Sequence, residues 1–189
     1  MKLRDCEVFV VGNPPPYFGG RYFIFVKLVT DNGITGYGEC YVATVSPYVI
    51  ADIIKDIFGR HMQDMNPHQI EPMGRRVHGS GFTHRPDVTM MGAWSGLEMA
   101  CWDIIGKAAD QPVYHLIGGK VRDRLRSYTY IYPDADDHSA SVYSDPDVAA
   151  NRAASYLADG FTALKFDPAG PYTIYDGRQP DREDLARSV

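Results

Sequence analysis

Two runs of alternating side chains, separated by a tight-turn dipeptide, restrict the first part of this chain to an antiparallel hairpin. In RYFIFVKLVTDNGITGYGECY, every second residue from Tyr22 to Leu28 is apolar, which is the spacing of one strand face. Asn32-Gly33 follows, and this dipeptide readily adopts the left-handed backbone that a two-residue hairpin turn requires. We therefore predict two antiparallel strands that reverse at Asn32-Gly33.

The next part of the sequence carries the signals of three helices. The first begins at Ser46-Pro47, an N-cap followed by a first-turn proline, and Gly59 is its predicted end. The second spans about residues 66–77 and the third residues 88–109. Small residues in the third helix favour close packing against another backbone, because a glycine costs about 1 kcal/mol in a helix relative to alanine. These small residues are Gly92, Ala93, Ser95, Gly96 and Ala100.

After residue 125 the pattern changes to strand, helix, strand. RSYTYIY (126–132) and FTALKFD (161–167) have the composition of strands, and Asp145-Pro146 is predicted to begin the helix between them. This order and spacing are typical of a parallel sheet. The sequence therefore divides into an α+β module over residues 1–125 and the start of an α/β repeat over residues 126–189. The residues predicted to face inward on the helix are Val148, Ala149, Ala153, Tyr156 and Leu157.

The composition argues against several functional classes. The formal net charge is −5 and the basic residues are scattered, so neither a nucleic-acid partner nor a membrane surface is expected. No apolar run approaches the ~20 residues of a membrane helix, and Asp5 and Glu7 lie where a secretory signal would be apolar. Cys6, Cys40 and Cys101 are far apart and form no Cys-x-x-Cys motif. We therefore predict a cytoplasmic protein without a disulfide framework or a zinc site.

A pair of opposite charges ends the last predicted strand. In TALKFDPAG, Lys165 and Asp167 are two residues apart, so both side chains project from the same strand face. Pro168 and Gly170 then end the strand. On these residues alone, a structural salt bridge at a strand end is the favoured interpretation, and a role in binding or catalysis is the alternative.

The segment from Ser95 to Tyr128, SGLEMACWDIIGKAADQPVYHLIGGKVRDRLRSY, closely resembles the junction segment of the mandelate racemase/muconate lactonising branch of the enolase superfamily. The hairpin GITGYGE resembles the family's preceding hairpin, and the order of elements also fits. The matching features of the junction are Ala100, Trp102-Asp103, Gly106-Lys107, Pro112-x-Tyr114 and Leu116-Ile117-Gly118-Gly119.

The resemblance implies a fold of two parts. Residues 1–125 would form an enolase-type α+β capping domain, an antiparallel meander plus helices. Residues 126–189 would form the first strands and helices of a TIM-type (β/α) barrel. A complete barrel needs ~250 residues and carries its chemistry at the C-terminal ends of its strands. The barrel is therefore expected to be incomplete here, and the 189-residue chain is expected to be a truncated part of a longer protein and inactive alone.

The resemblance also implies a chemistry for Lys165 and Asp167. Family members remove the proton next to a carboxylate and stabilise the resulting enediolate on Mg²⁺, since that proton is too weakly acidic for an unaided base. Their second barrel strand ends in a Lys-x-Lys or related pair, so Lys165 would neutralise the charge on the substrate carboxylate. Asp167 cannot replace the second lysine, which acts as a base in the racemases. The magnesium ligands, and the histidine base common in the dehydratases, are expected beyond Val189, so no metal ligand is predicted here.

We therefore predict a magnesium-dependent acid-sugar dehydratase, a lyase that eliminates the β-hydroxyl to give a 2-keto-3-deoxy acid. Racemase, epimerase and cycloisomerase reactions of the same superfamily stay open. So does a non-catalytic fragment or oligomerisation module. The expected partners are a small sugar acid and further copies of the chain in a homo-oligomer.

Substrate contacts are predicted in three loops. GNPPPYFGG corresponds by resemblance to the family's substrate-covering loop, which makes Tyr17, Phe18 and Arg21 candidates, while an ordinary proline-rich turn is the alternative. Tyr41 belongs to a second covering loop. His84 lies on a glycine-rich loop and could meet an anionic sugar acid, although a lone histidine is more often a surface residue.

Overall fold

The computed structural model places its described residues in two units. The first unit comprises Met1–Asn13 and Gly20–Val121, and the second comprises Pro14–Gly19 and Arg122–Val189. No helix in the described part of the chain has the length and apolarity needed to cross a membrane. The described residues are 1–15, 17, 19–41, 45–80, 87–136, 141–166 and 182–187.

An antiparallel sheet of three strands forms one layer of the first unit. Val26 in the central strand pairs with Val8 on one side and Gly38 on the other. Gly33 has a φ of +84°, as the predicted reversal requires, and the predicted hairpin is confirmed. Along the central strand, Ile24, Val26 and Leu28 are fully buried. In sheet order the strands are β1 (Leu3–Gly12), β2 (Tyr22–Thr30) and β3 (Thr35–Cys40).

Helices follow the sheet in the first unit, and their ends differ partly from the prediction. The Ser46 hydroxyl accepts the Tyr48 N–H, so the predicted N-cap is confirmed. Gly59 does not end the first helix, which continues as a π-helical turn over Phe58–Met62. The second helix begins later than residue 66, because the Asn66 side chain accepts the His68 N–H and forms a turn instead. The helices are α1 (Pro47–Ile57), α2 (Ile70–Gly79), α3 (Val88–Ala108) and α4 (Val113–Leu116).

Glycines set the distance between α3 and β3. A Cβ atom on Gly38 would lie 2.0 Å from the Gly96 carbonyl oxygen, and one on Gly96 would lie 2.1 Å from the Cys40 sulfur. Any larger residue would therefore push the helix away from the sheet. The predicted close packing is confirmed for Gly96, whereas a Cβ on Gly92 would meet nothing within 4 Å.

The core of the first unit lies between the sheet and helices α1 to α3. Fully burying one large aliphatic side chain contributes about 1.5–3 kcal/mol, so this set of side chains holds the layers together. Its largest fully buried members are Leu3, Ile24, Val26, Leu28, Ile50, Ile54, Ile57, Met62, Met73, Leu97 and Ile104.

Charged side chains of α3 cover the outer edge of β3. The Asp103 carboxylate accepts the Tyr37 N–H at 2.9 Å and the Lys107 ammonium at 2.7 Å. Lys107 also donates to the Thr35 carbonyl oxygen at 2.9 Å. An edge strand otherwise presents unpaired backbone groups, so this pair both protects β3 and fastens it to α3.

The second unit contains a parallel pair of short strands with a helix between them in sequence. Tyr130 lies opposite Lys165 in this pair, and the predicted β-α-β order is confirmed. Asp145 caps the helix by accepting the N–H groups of Asp147 and Val148. The elements of the unit are β4 (Thr129–Tyr130), a 3-10 turn (Ser141–Tyr143), α5 (Pro146–Ala158), β5 (Leu164–Lys165) and α6 (Arg182–Arg187).

The predicted inward face of α5 is only partly covered. Val148 and Leu157 are 36% and 56% exposed, and no residue of α5 is buried. In the described part of this unit, the sheet consists of two strands of two residues each. That surface is too small to bury the apolar face of a helix, so the prediction of an inward face was wrong for Val148 and Leu157.

Candidate functional site

Lys165 lies at the C-terminal end of β5, and its side chain is placed against an aromatic ring. The Lys165 ammonium is 4.7 Å from the centroid of the Tyr130 ring on β4. The two residues are direct neighbours in the parallel register, so their side chains project to the same side of the pair. Lys165 is exposed, and a cation–π contact at an exposed site contributes about 0.5–1 kcal/mol. The ring therefore restricts the lysine without burying its charge.

A second tyrosine extends this cluster to the loop between β1 and β2. The rings of Tyr130 and Tyr132 have centroids 5.8 Å apart. The Tyr132 hydroxyl oxygen accepts the Gly19 N–H at 3.1 Å. Gly19 belongs to the second unit with the two tyrosines and Lys165. The candidate site is therefore a row of contacts from Gly19 through Tyr132 and Tyr130 to Lys165.

Arg152 of α5 fixes the chain just after β4. Its Nε donates to the Tyr132 carbonyl oxygen at 3.0 Å, and its Nη1 lies 2.8 Å from the Asp134 carboxylate. The guanidinium carbon lies 4.7 Å from the centroid of the Tyr156 ring. These contacts restrict the guanidinium, and through it the segment after β4 to which it is hydrogen-bonded.

Tyr17 belongs to the same loop as Gly19. Its N–H donates to the Pro14 carbonyl oxygen at 3.0 Å, and its φ of +63° lies in the left-handed region. That conformation is uncommon for a residue with a side chain. The side chain is 37% exposed. Tyr17 therefore forms a tight turn within the loop and presents part of its ring at the surface.

The other predicted site residues fall into two groups. Arg21 and Tyr41 belong to the first unit; the Arg21 carbonyl oxygen accepts the Asn13 N–H at 2.8 Å, and Tyr41 is 75% exposed. Asp167, Phe18 and His84 lie outside the described residues.

The described residues offer neither a reactive thiol nor a metal centre. Burial raises the pKa of Cys6 and of Cys101 to about 12, and that of Cys40 to about 11. All of these thiols are therefore protonated at neutral pH, and a protonated thiol is a poor nucleophile. Within the described ranges, no group of three or more His, Cys, Asp or Glu side chains is placed to hold a metal ion.

Tyr130, Tyr132 and Arg152 were not among the site residues predicted from the sequence. A signal for the tyrosines was present, since alternate positions in SYTYIY place both on one strand face, next to the predicted strand of Lys165. Arg152 lies four residues before Tyr156, which is the spacing of neighbours on a helix surface. Only the tertiary fold shows that this arginine also reaches the backbone of Tyr132.

Comparison with known proteins identifies the family. Residues 18–118 match the family model of the mandelate racemase/muconate lactonizing enzyme N-terminal domain. The chain belongs to the mandelate racemase/muconate lactonizing enzyme family. The resemblance of the junction segment is thereby confirmed, and the three-stranded sheet with its helices is the capping domain of this family.

Relatives within this family include enzymes named as dehydratases. The chain is 31% identical to the D-gluconate/D-galactonate dehydratase of Picrophilus torridus, over 88% of the chain and 41% of that enzyme. It is 32% identical to the D-galactonate dehydratase of Xanthomonas oryzae pv. oryzae, over 85% of the chain and 38% of that enzyme.

Crystal structures from the family have the same backbone fold. A candidate mandelate racemase/muconate lactonizing enzyme from Labrenzia alexandrii DFL-11 superposes with a TM-score of 0.87 at 61% identity, over 99% of this chain and 49% of that protein. The chain thus spans less than half the length of each of these three relatives.

Proposed function

We propose that this chain is the N-terminal part of a magnesium-dependent acid-sugar dehydratase. In the reaction, a base removes the proton on the carbon next to the substrate carboxylate. The bond from the neighbouring carbon to its hydroxyl then breaks, and the hydroxyl leaves as water after taking up a proton. The resulting enol tautomerises to a 2-keto-3-deoxy acid. The names of the relatives from Picrophilus torridus and Xanthomonas oryzae support this assignment.

The observation that carries the proposal is the placement of Lys165. An exposed ammonium stands at the C-terminal end of a parallel strand, where barrel enzymes carry their chemistry. Removing the α-proton spreads a second negative charge over the substrate carboxylate. The Lys165 ammonium, already held against Tyr130, can donate hydrogen bonds to a carboxylate oxygen of the substrate as this charge develops. Such preorganised donors stabilise transition states.

Magnesium is proposed for the whole protein. Mg²⁺ is bound by oxygen ligands in near-octahedral geometry. In the described part of the chain, no three or more Asp, Glu, His or Cys side chains lie together so that they could hold a metal ion. When bound, the ion would stabilise the negative charge of the enediolate.

The roles of the other predicted site residues are also part of the proposal. Asp167 would lie beside Lys165 on the same strand face, and a carboxylate there cannot serve as the lysine base of a racemase. Tyr17, Phe18 and Arg21 would exclude water and contact the polyol end of the substrate. Tyr41 would belong to a second covering loop, and His84 would meet the anionic sugar acid. Assembly into a homo-oligomer belongs to the same proposal.

The proposal is tested by offering the intact protein a panel of hexonates, pentonates and aldarates with Mg²⁺. We expect a 2-keto-3-deoxy acid from at least one of them. Reversible exchange of the α-proton in D₂O without dehydration would instead support a racemase or epimerase, and lactone formation a cycloisomerase. Failure of every acid to react would support the non-catalytic alternative.

A matched pair of variants tests the role of Lys165. K165M removes the ammonium and should lower kcat by about 100-fold or more, the usual effect of losing a donor to a developing oxyanion. K55M removes an exposed lysine of α1 and should change kcat less than twofold. Equal activity of the two variants would exclude Lys165 from the chemistry.

A further inference from the structure

The loop Pro14–Gly19 has a contact that the proposed reaction does not use. Hydrogen bonds at its base, from Asn13 to the carbonyl oxygens of Gly20 and Arg21 (2.6 and 2.8 Å), fix where the loop leaves β1 and enters β2. Within the loop, the Tyr17 N–H donates to the Pro14 carbonyl oxygen at 3.0 Å. The bond from the Gly19 N–H to the Tyr132 hydroxyl is different, because it joins the loop to a residue 113 positions away.

Two glycines give the backbone the conformation in which the Gly19 N–H points at the Tyr132 hydroxyl. Gly19 and Gly20 have φ values of +80° and +140°, conformations that glycine adopts far more readily than other residues. A side chain at either position would strain the turn that aims the N–H at Tyr132.

Tyr132 is itself held firmly. Arg152 binds its carbonyl oxygen, and Asp134 and the Tyr156 ring restrain that arginine. The Tyr132 ring lies beside Tyr130, whose own ring lies beneath the Lys165 ammonium. A continuous row of contacts therefore joins the loop to the lysine.

We propose that Tyr132 is a positioning residue, which holds the loop between β1 and β2 at Gly19, beside the end of β4, and links Gly19 to Lys165. The link to catalysis rests on the proposed function of Lys165. Loop docking of this kind excludes water and orients the substrate. A single neutral hydrogen bond of ordinary strength shifts the equilibrium between the docked and the undocked loop by about three- to tenfold.

Hydrogen–deuterium exchange tests the structural half of the proposal without any substrate. Y132F keeps the ring and removes the acceptor, and Y128F removes an exposed hydroxyl from the same segment. Residues 14–16 are prolines, so a peptide over residues 14–21 reports mainly the amides at and after Tyr17. In the intact protein we expect exchange about three- to tenfold faster in Y132F than in the wild type, and no change in Y128F. Equal exchange in all three proteins would overturn the proposal.

Steady-state kinetics tests the link to Lys165. With any sugar acid that the wild type dehydrates, Y132F should raise KM about three- to tenfold, with a smaller change in kcat, whereas K165M should mainly lower kcat. Faster exchange in Y132F with unchanged KM and kcat would overturn the link. If no sugar acid reacts, the proposed function fails, while the exchange result still decides whether Tyr132 holds the loop.

Discussion

At the scale of single residues, the Tyr130 ring lies against the Lys165 ammonium, 4.7 Å from ring centroid to nitrogen. Y130L removes the aromatic face and Y130F keeps it, so the two variants separate the cation–π contact from the phenol hydroxyl. We expect Y130L to lower kcat/KM about two- to fivefold, the value of an exposed cation–π contact, and Y130F to lie close to the wild type. A Y130F defect as large as that of Y130L would assign the effect to the hydroxyl and contradict the cation–π interpretation.

We expect the stability of the first unit to depend on pH through His61. Its Nε2 is buried and has no hydrogen-bond partner among the described residues. Burial, together with the neighbouring Arg60, lowers the pKa of His61 below its ordinary value of 6.5. The unfolded chain therefore binds this proton more readily than the folded chain, and the free energy of unfolding should fall as the pH drops below about 6.5.

Denaturant titrations at pH 7.5 and pH 5.5 check this prediction. H61F removes the titrating group and should lose less of its free energy of unfolding between these pH values than the wild type does. H68Q, at an exposed histidine, should behave like the wild type. An H61F protein with the same pH dependence as the wild type would show that other groups are responsible.

At the scale of elements, we expect small substitutions at the contact between α3 and β3 to lower the free energy of unfolding most. In G38A the new Cβ would lie 2.0 Å from the Gly96 carbonyl oxygen, so the helix or the strand must move. We expect a loss of about 1–3 kcal/mol in the free energy of unfolding, as for other overpacked cores. G92A is the matched control on α3, because its Cβ would meet nothing within 4 Å. It should gain up to about 1 kcal/mol from helix propensity, and a comparable loss in both variants would contradict the packing argument.

The link between Asp103 and the edge of β3 can be tested in the same way. D103A leaves the Tyr37 N–H and the Lys107 ammonium without their carboxylate partner, and we expect a loss of about 1–3 kcal/mol. D52A, which removes an exposed carboxylate of α1, should cost much less. Thermal unfolding of both variants measures the difference, and equal melting temperatures would show that the edge contact is not stabilising.

Elements that depend on short-range patterns could be predicted from the sequence. The hairpin at Asn32-Gly33 and the cap at Ser46 follow from a few neighbouring residues. The π-helical turn after α1 and the delayed start of α2 could not be predicted, because Gly59 and Asn66 each allow two local structures and packing selects one. Lys165 was predicted as a site residue from its strand pattern and the family resemblance. Its ring partner was missed because that contact depends on which strand lies next to β5.

At the scale of the whole molecule, burial is very unevenly distributed between the two units. The sheet and helices of the first unit enclose a large apolar core. In the second unit the described buried apolar residues are Ile131 and Val142, and α5 buries none of its own side chains. The two units should therefore differ in local stability, since protection from exchange follows the buried contacts that must open.

Hydrogen–deuterium exchange on the 189-residue chain measures this difference directly. Leu97 and Ile104 in α3 are fully buried, so amides there should exchange only when the core of the first unit opens. Amides of α5 should exchange at least about 100-fold faster, because opening that helix exposes little new apolar surface. If α5 were instead as well protected as α3, its apolar face would have to be covered in solution, for example by a second copy of the chain. Repeating the measurement at several protein concentrations separates these outcomes, because only protection by a second copy rises with concentration.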